Sequence, residues 1–400
     1  MGPAAGGGNV RGATRLVAVA TVLAVAGMSA ACGAGTADPP VTAQSGGATH
    51  DGHGQGAPPP PSPTPPRAGE RFVTLKMPQP YAPVAPNGGT DEYRCFLVDP
   101  GLSTQAYLTG SQFLPQNADI VHHAIFFQIP PAGAAEAREL DEGTPGEGWQ
   151  CFGDSGVNGD AWVAHWAPGA DEVLLDEGLG YEMPAGSQLV MQVHYNLLAT
   201  GGKSGSTDQS SIRLRLADAT TAMTPLATMQ APAPVELPCT AQESGPLCDR
   251  DAAIKDVTRR FGQDVGSSAA DLLQWCSQGK PAPGSTQHCD HPMEGAATIY
   301  ATAGHMHLLG RAITIELNPG TTGAQTLLDV PQYNFDDQAI RPLATPVKIK
   351  KGDVLRVTCT HDAGLRKMLP QLQSLPPRYV VWGDGTADEM CLGLLIGTPS

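Results

Sequence analysis

The chain is short of positive charge: 24 lysines and arginines face 39 aspartates and glutamates, for a formal net charge of −15. No run of basic residues occurs, which makes nucleic acid and anionic membrane surfaces poor partners. A Cys-x-x-Cys pair is also missing, and with it the usual frame of a structural zinc knuckle. The apolar stretch Leu16 to Val25 is too short to span a bilayer comfortably. Long helices are disfavoured by the abundance of their breakers, 48 glycines and 37 prolines, a composition that suits short strands joined by turns. At 400 residues the chain exceeds one ordinary core and suits two domains with appendages.

What is present starts with an export signal over residues 1–31: Arg11 and Arg15 precede the apolar stretch, and Ser29-Ala30-Ala31-Cys32 follows it. This arrangement resembles the lipobox of bacterial lipoproteins and makes Cys32 the expected lipidation site, although Ser29 stands where leucine is usual. Cleavage without lipid is the alternative. Either way an exported protein is expected, at the cell surface or secreted, touching a membrane only through such an anchor.

Setting Cys32 aside leaves eight of the nine cysteines: Cys95, Cys151, Cys239, Cys248, Cys276, Cys289, Cys359 and Cys391. An even number in an exported chain implies up to four disulfides, whose connectivity counting cannot supply. Residues 33–70, including Pro58 to Pro61, have almost nothing to bury and read as a disordered Gly/Pro-rich linker. His50 and His53 within it read as solvated residues.

From about Phe72 onward, short apolar runs are bounded by Gly, Pro, Asp or Asn, as at Ile120 to Ile129, Gln188 to Tyr195, Ile212 to Leu216, Ala297 to Ala303, Ala312 to Leu317 and Val354 to Cys359. Their β-branched content predicts strands and an all-β fold. One helical patch is predicted at Arg250 to Trp275. The proline-rich Met229 to Pro238 is the candidate boundary region between two antiparallel β-sandwich domains, 71–220 and 221–400.

Histidines and one methionine carry the chemistry. His305 and His307, at i and i+2 on a strand, project from one face and can share a metal ion without distorting the backbone. Met390 lies in a polar, turn-rich segment where a core role is less expected, and a thioether ligand favours copper over harder metals. Spacing alone does not tie Met390 to the pair. His122 and His123 are neighbours and point to opposite faces of a regular strand, so joint ligation requires a bulge or a strand end, or different ring nitrogens from the two imidazoles. His194 sits in an alternating apolar strand; with the first two it would complete a three-histidine copper or zinc site.

Taken in order, Val121-His122-His123, Gln192-Val193-His194-Tyr195, His305-x-His307 and Asp388-Glu389-Met390-Cys391 resemble the motifs of the copper type II, ascorbate-dependent monooxygenases, the family of peptidylglycine α-hydroxylating monooxygenase and dopamine β-monooxygenase. The resemblance spans about residues 75 to 397 and is weakest over 221–295. It implies two jelly-roll-like sandwiches with one copper each, facing one another across a solvent-filled cleft. His122, His123 and His194 would hold the electron-transfer copper, with Gln192 beside it. His305, His307 and Met390 would hold the copper at which dioxygen and substrate react. The resemblance also implies ascorbate or another small electron donor as cosubstrate, and a small organic substrate hydroxylated at a C–H bond. It places a disulfide at Cys359–Cys391; Cys95–Cys151 is expected next, with Cys239–Cys248 and Cys276–Cys289 as local staples. A monomer is expected.

The substrate positions depart from the family. Ala303 stands where the peptidylglycine enzyme has an arginine for the peptide carboxylate, Leu394 where it has a tyrosine, and Leu392 where it has an asparagine. A glycine-extended peptide would leave its carboxylate unpaired here, which argues against that substrate. Among the other histidines, His165 is expected to be structural. His288 and His291 with Met293 are expected not to form a site, and His361 could stand behind Met390. Asp171-Glu172 and Asp336-Asp337 read as solvated turns. The alternative function is a non-catalytic copper-binding or storage lipoprotein.

Overall fold

The structure, a computed structural model, describes residues 61–219 and 222–399. The export signal, Cys32, His50, His53 and the linker up to residue 60 lie outside the described residues. Residues 61–69, expected to be disordered linker, are held against the first sandwich: Gln112 donates to the Pro61 carbonyl at 2.9 Å and Arg215 to the Pro65 carbonyl at 3.0 Å. The cause is Arg215, buried at 1 % exposure between Glu70 and Glu172. Its two terminal nitrogens have further hydrogens to give, and the Pro65 and Thr64 carbonyls accept them.

Ten strands build the first sandwich: β1 (Glu70–Lys76), β2 (Asp91–Val98), β3 (Ala106–Leu114), β4 (Val121–Ile129), β5 (Trp149–Gln150), β6 (Ala161–Trp166), β7 (Glu172–Leu174), β8 (Leu179–Met183), β9 (Gln188–Asn196) and β10 (Ser211–Asp218). One sheet runs β1-β10-β3-β8, with β7 beside β3; the facing sheet runs β5-β2-β9-β4-β6. Phe96, Phe126, Leu108, Met183 and Leu189 fill the space between them. Alternation in β10 sends Ile212, Leu214 and Leu216 into this core, as a half-buried strand should.

The second sandwich comprises β11 (Thr224–Pro232), β12 (Glu236–Leu237), β13 (Thr286–Pro292), β14 (Ala297–His305), β15 (Gly310–Leu317), β16 (Gln325–Val330), β17 (Arg341–Ile349), β18 (Val354–His361), β19 (Val380–Val381) and β20 (Leu392–Gly397). Its sheets run β11-β20-β14-β17 and β13-β18-β15-β16. Strand β11 joins the sandwiches. Thr224–Leu226 pair parallel with Leu179–Tyr181 of β8, and Ala227–Pro232 pair antiparallel with β20. One sheet therefore continues from β1 to β17. The stretch Met229 to Pro238, which its prolines mark as a boundary, contributes the end of β11 and the short β12 instead of a loose connection.

Besides α1 (Ala134–Gly143), two helices stand out, α2 (Arg250–Phe261) and α3 (Gln263–Ser277), where the periodicity predicts one helical patch. The Asp249 side chain caps α2 by accepting from the Ala252 amide at 2.9 Å. Gly262, with φ 94°, ends α2 and lets α3 turn away. Gly262→Ala is therefore expected to cost about 1–3 kcal/mol, read as a lowered urea midpoint. Val257, Phe261 and Val265 pack the pair onto Tyr379 and Val381. The disulfides are Cys95–Cys151, Cys239–Cys248, Cys276–Cys289 and Cys359–Cys391. Among the described residues no helix is long and apolar enough to cross a membrane.

Candidate metal centres

Strands β2, β9 and β4 are adjacent, and their register lines up Tyr93, His194 and His123 across one face. The register of β4 shifts between Val121 and His123, so a bulge resolves the parity problem of two consecutive histidines and brings His122 to the same place. The Nδ1 atoms of His122 and His123 are 3.1 Å apart, and those of His123 and His194 are 3.3 Å apart. Metal–nitrogen bonds of about 2.0–2.1 Å on one ion separate two nitrogens by roughly 3.0–3.5 Å, so the three rings fit a single ion. Burial, aided by the neighbouring imidazoles, holds the His122 and His123 pKa well below the ordinary value. Burial also lowers His194, more than its carboxylate partner raises it. All three rings are thus neutral at physiological pH, with lone pairs free to bind a metal.

Asp91 fixes the tautomer of His194. Its Oδ1 lies 3.0 Å from Nε2, so that nitrogen carries the proton and Nδ1 turns its lone pair to the cluster. Burial pushes the Asp91 carboxyl up, but hydrogen bonds from His194 and from the Thr386 hydroxyl and amide outweigh it and hold the group at about 2. Thr386 belongs to the second sandwich, and Tyr93, stacked on His194 at 4.1 Å, donates to the Asp384 carbonyl at 2.9 Å. The loop 382–390 therefore touches the surroundings of the three-histidine cluster directly.

The same loop shapes the second constellation. His305 ends β14 and pairs with Leu392, two residues after Met390. Glu389 accepts from the His307 amide at 2.9 Å and from the Leu309 amide at 2.5 Å, tying the histidine pair to the methionine segment. His307 Nδ1 faces the Asp388 carbonyl at 3.3 Å, and His305 Nδ1 faces Gln338 Oε1. Both rings therefore keep Nε2 free, and His307 Nε2 is buried without a partner. Burial and then His307 lower the His305 pKa to about 3. A buried orphaned imidazole nitrogen beside a second free one can take a metal ion, and Met390 stands on the same cavity wall as His305. Replacing Glu389 by leucine would orphan two buried amides, and a loss of about 2–5 kcal/mol is expected in chemical unfolding.

The two constellations adjoin. The His123 and His305 rings are 5.5 Å apart, and Phe335 stacks on His122 at 4.0 Å while meeting His307 at 6.2 Å. A cavity of about 300 Å³ lies against them, with His123, His305, Gln192 and Met390 on its wall. Ala303, Leu392 and Leu394, the positions that depart from the peptidylglycine enzyme, also line it, together with the candidate ligands His305 and Met390.

The remaining histidines separate. His165 lines the cavity, with its pKa lowered to about 4 by burial. His291 Nε2 faces the Pro232 carbonyl at 2.8 Å. His361 does lie behind Met390, 3.4 Å from its carbonyl and 3.4 Å from Glu389. Asp336 and Asp337 are exposed, whereas Glu172 pairs with Arg215 and is no solvated turn. Sequence reasoning passed over Asp91, Thr386, Gln338 and Phe335. The available signal was Asp91 itself, an acid opening an apolar strand.

Residues 284–396 match the family model described as copper type II ascorbate-dependent monooxygenase, C-terminal domain. The match covers β14, β18 and the loop bearing Met390, and supports the family read from the motifs. Among solved structures, an allantoicase is similar at 12 % identity, covering 79 % of this chain and 90 % of its own, with a TM-score of 0.17. The Saccharomyces cerevisiae allantoicase reaches 13 %, covering 81 % and 90 %, with a TM-score of 0.17. The VP2 subviral particle of infectious bursal disease virus reaches 7 %, covering 85 % and 74 %, with a TM-score of 0.18. Overlaps this low carry no argument.

Proposed function

We propose that this chain, whose residues 284–396 belong to the copper type II ascorbate-dependent monooxygenase family, is an exported monooxygenase that hydroxylates a C–H bond of a small organic molecule. The observation that carries the reading is one cavity wall holding side chains of two unlike donor sets, His123 from the first and His305 with Met390 from the second. The reaction balances as R–H + O₂ + 2e⁻ + 2H⁺ → R–OH + H₂O, with ascorbate or a similar donor supplying the electrons.

Bound copper would supply one-electron steps and dioxygen activation. His122, His123 and His194 would hold one ion through Nδ1; His305 and His307 through Nε2, with the Met390 thioether, would hold the other. Asp91, Gln338 and the Asp388 carbonyl keep the ring protons on the nitrogens that face away from the metals. The leucines and tryptophans of the wall exclude water from the reacting end of the cavity. Copper storage would need neither two donor sets nor a cavity between them.

The test is oxygen uptake by the copper-loaded chain with ascorbate and a panel of aliphatic and aromatic compounds. Uptake stimulated by one compound, matched by its hydroxylated product and lost in His305→Ala, is expected. Two bound coppers with no coupled uptake on any compound would favour storage.

A further inference from the structure

The cavity wall is one-sided in charge. Its charged side chains are Asp154, Asp264 and Asp384, with no lysine or arginine among them. Two of its side chains carry an oxygen that is buried without a hydrogen-bond partner: Asp384 Oδ2, in a residue 3 % exposed, and Gln192 Oε1, in a residue 1 % exposed. The Gln192 orientation is set by its amide, which donates to the Asp154 carbonyl at 3.0 Å. With Asp384 ionised both orphans only accept, so whatever satisfies them in that state must bring hydrogens. The one orphaned donor on the wall, Trp162 Nε1, packs by the apolar Ala303, Leu392 and Leu394. Burial, then Asp388 and Asp91, raise the Asp384 pKa to about 7, a cost that a cationic ligand would remove.

The cavity also has an extension. A second, open groove shares Gln230, Ser268 and Trp382 with it and continues past Asp271 and Leu272 to Trp275, which is 67 % exposed. Along α3 the bordering residues are Asp264, Ser268, Asp271 and Trp275, steps of four, three and four that make one helix face. Eleven residues of helical rise give this track a length of about 16 Å. An acid and indoles border it, with His291 as its one imidazole and no lysine or arginine, a pattern that receives organic cations.

We infer that the cavity and the track along α3 bind an elongated organic cation, an ammonium head held by Asp384 and Gln192 with an apolar chain running past Ser268 and Trp382 towards Trp275. As the identity of the substrate, this rests on the monooxygenase reading; as a binding site, it does not.

The test is calorimetric titration of the full chain, as purified and again copper-loaded and reduced under argon, with n-octylammonium, octanoate, n-octanol and n-butylammonium. Octylammonium is expected to bind about 10- to 100-fold more tightly than octanol, with octanoate weakest. Asp384→Asn should remove that advantage while leaving octanol unchanged. Ser268→Trp should weaken octylammonium to the level of butylammonium and leave the latter unchanged. Equal binding of octylammonium and octanoate by the unaltered chain overturns the inference, whatever the variants do, as does a folded Asp384→Asn that keeps its preference. Tight octylammonium binding, with no coupled oxygen uptake on it or on any compound of the panel, would retain the cation site and remove the monooxygenase reading.

Discussion

Met390→Ile is expected to abolish substrate-coupled oxygen uptake while the three-histidine cluster keeps its copper. Isoleucine nearly conserves the side-chain volume, so the fold should lose less than about 1.5 kcal/mol. What it removes is the thioether, the one soft donor among the six candidate ligands, and with it the preference of the second site for reduced copper. Alterations behind a metal ligand cost about 10- to 100-fold, and losing the ligand itself should cost at least that much in turnover. Oxygen uptake, product formation and copper content measured on one preparation check the result. Undiminished turnover would remove Met390 from the site.

The second large effect is expected at Asp91. The carboxylate is 1 % exposed and does two things at once: it orients His194 and receives Thr386 from the other sandwich. Asp91→Asn takes away the charge that favours both hydrogen bonds, and copper at the three-histidine cluster should bind about 10- to 100-fold more weakly in a chelator competition. A pH dependence follows from the same group. Its folded pKa of about 2 lies below the ordinary 3.8, so the folded state binds fewer protons than the unfolded one between these values. Stability should therefore be full above about pH 4 and fall as pH drops towards 2, with about 2 kcal/mol lost through this group. The variant should show a shallower acid limb in unfolding titrations. An identical limb would mean that Asp91 is not ionised in the folded chain.

Much of this was legible in the residues, for reasons that can be named. Strand positions followed from β-branched runs because packing against a sheet is what such residues favour, and β4, β9, β14 and β18 fall where those runs lie. The parity of His122-His123 left an irregular strand as one way to joint ligation, and the register of β4 is irregular there. Gly262 was a weaker signal, since a single glycine inside an apolar period does not announce a break. Residues 61–69 misled because their composition has nothing to bury, while their carbonyls serve a buried arginine that is distant in sequence. Asp91, Thr386 and Gln338 stayed hidden for the same reason. Each acts through contacts with residues 33 to 295 positions away, and periodicity carries no information about such pairs. The closeness of His123 to His305 depends on β11 continuing one sheet through both sandwiches, which its prolines concealed.

X-ray absorption at the copper edge tests the central claim most directly. Reduced full-length chain should bind two coppers, with nitrogen shells at both and a sulfur shell at half occupancy. Met390→Ile should erase the sulfur shell and leave the nitrogen shell of the three-histidine site. A single copper per chain, or two coppers with no sulfur neighbour, would contradict the account.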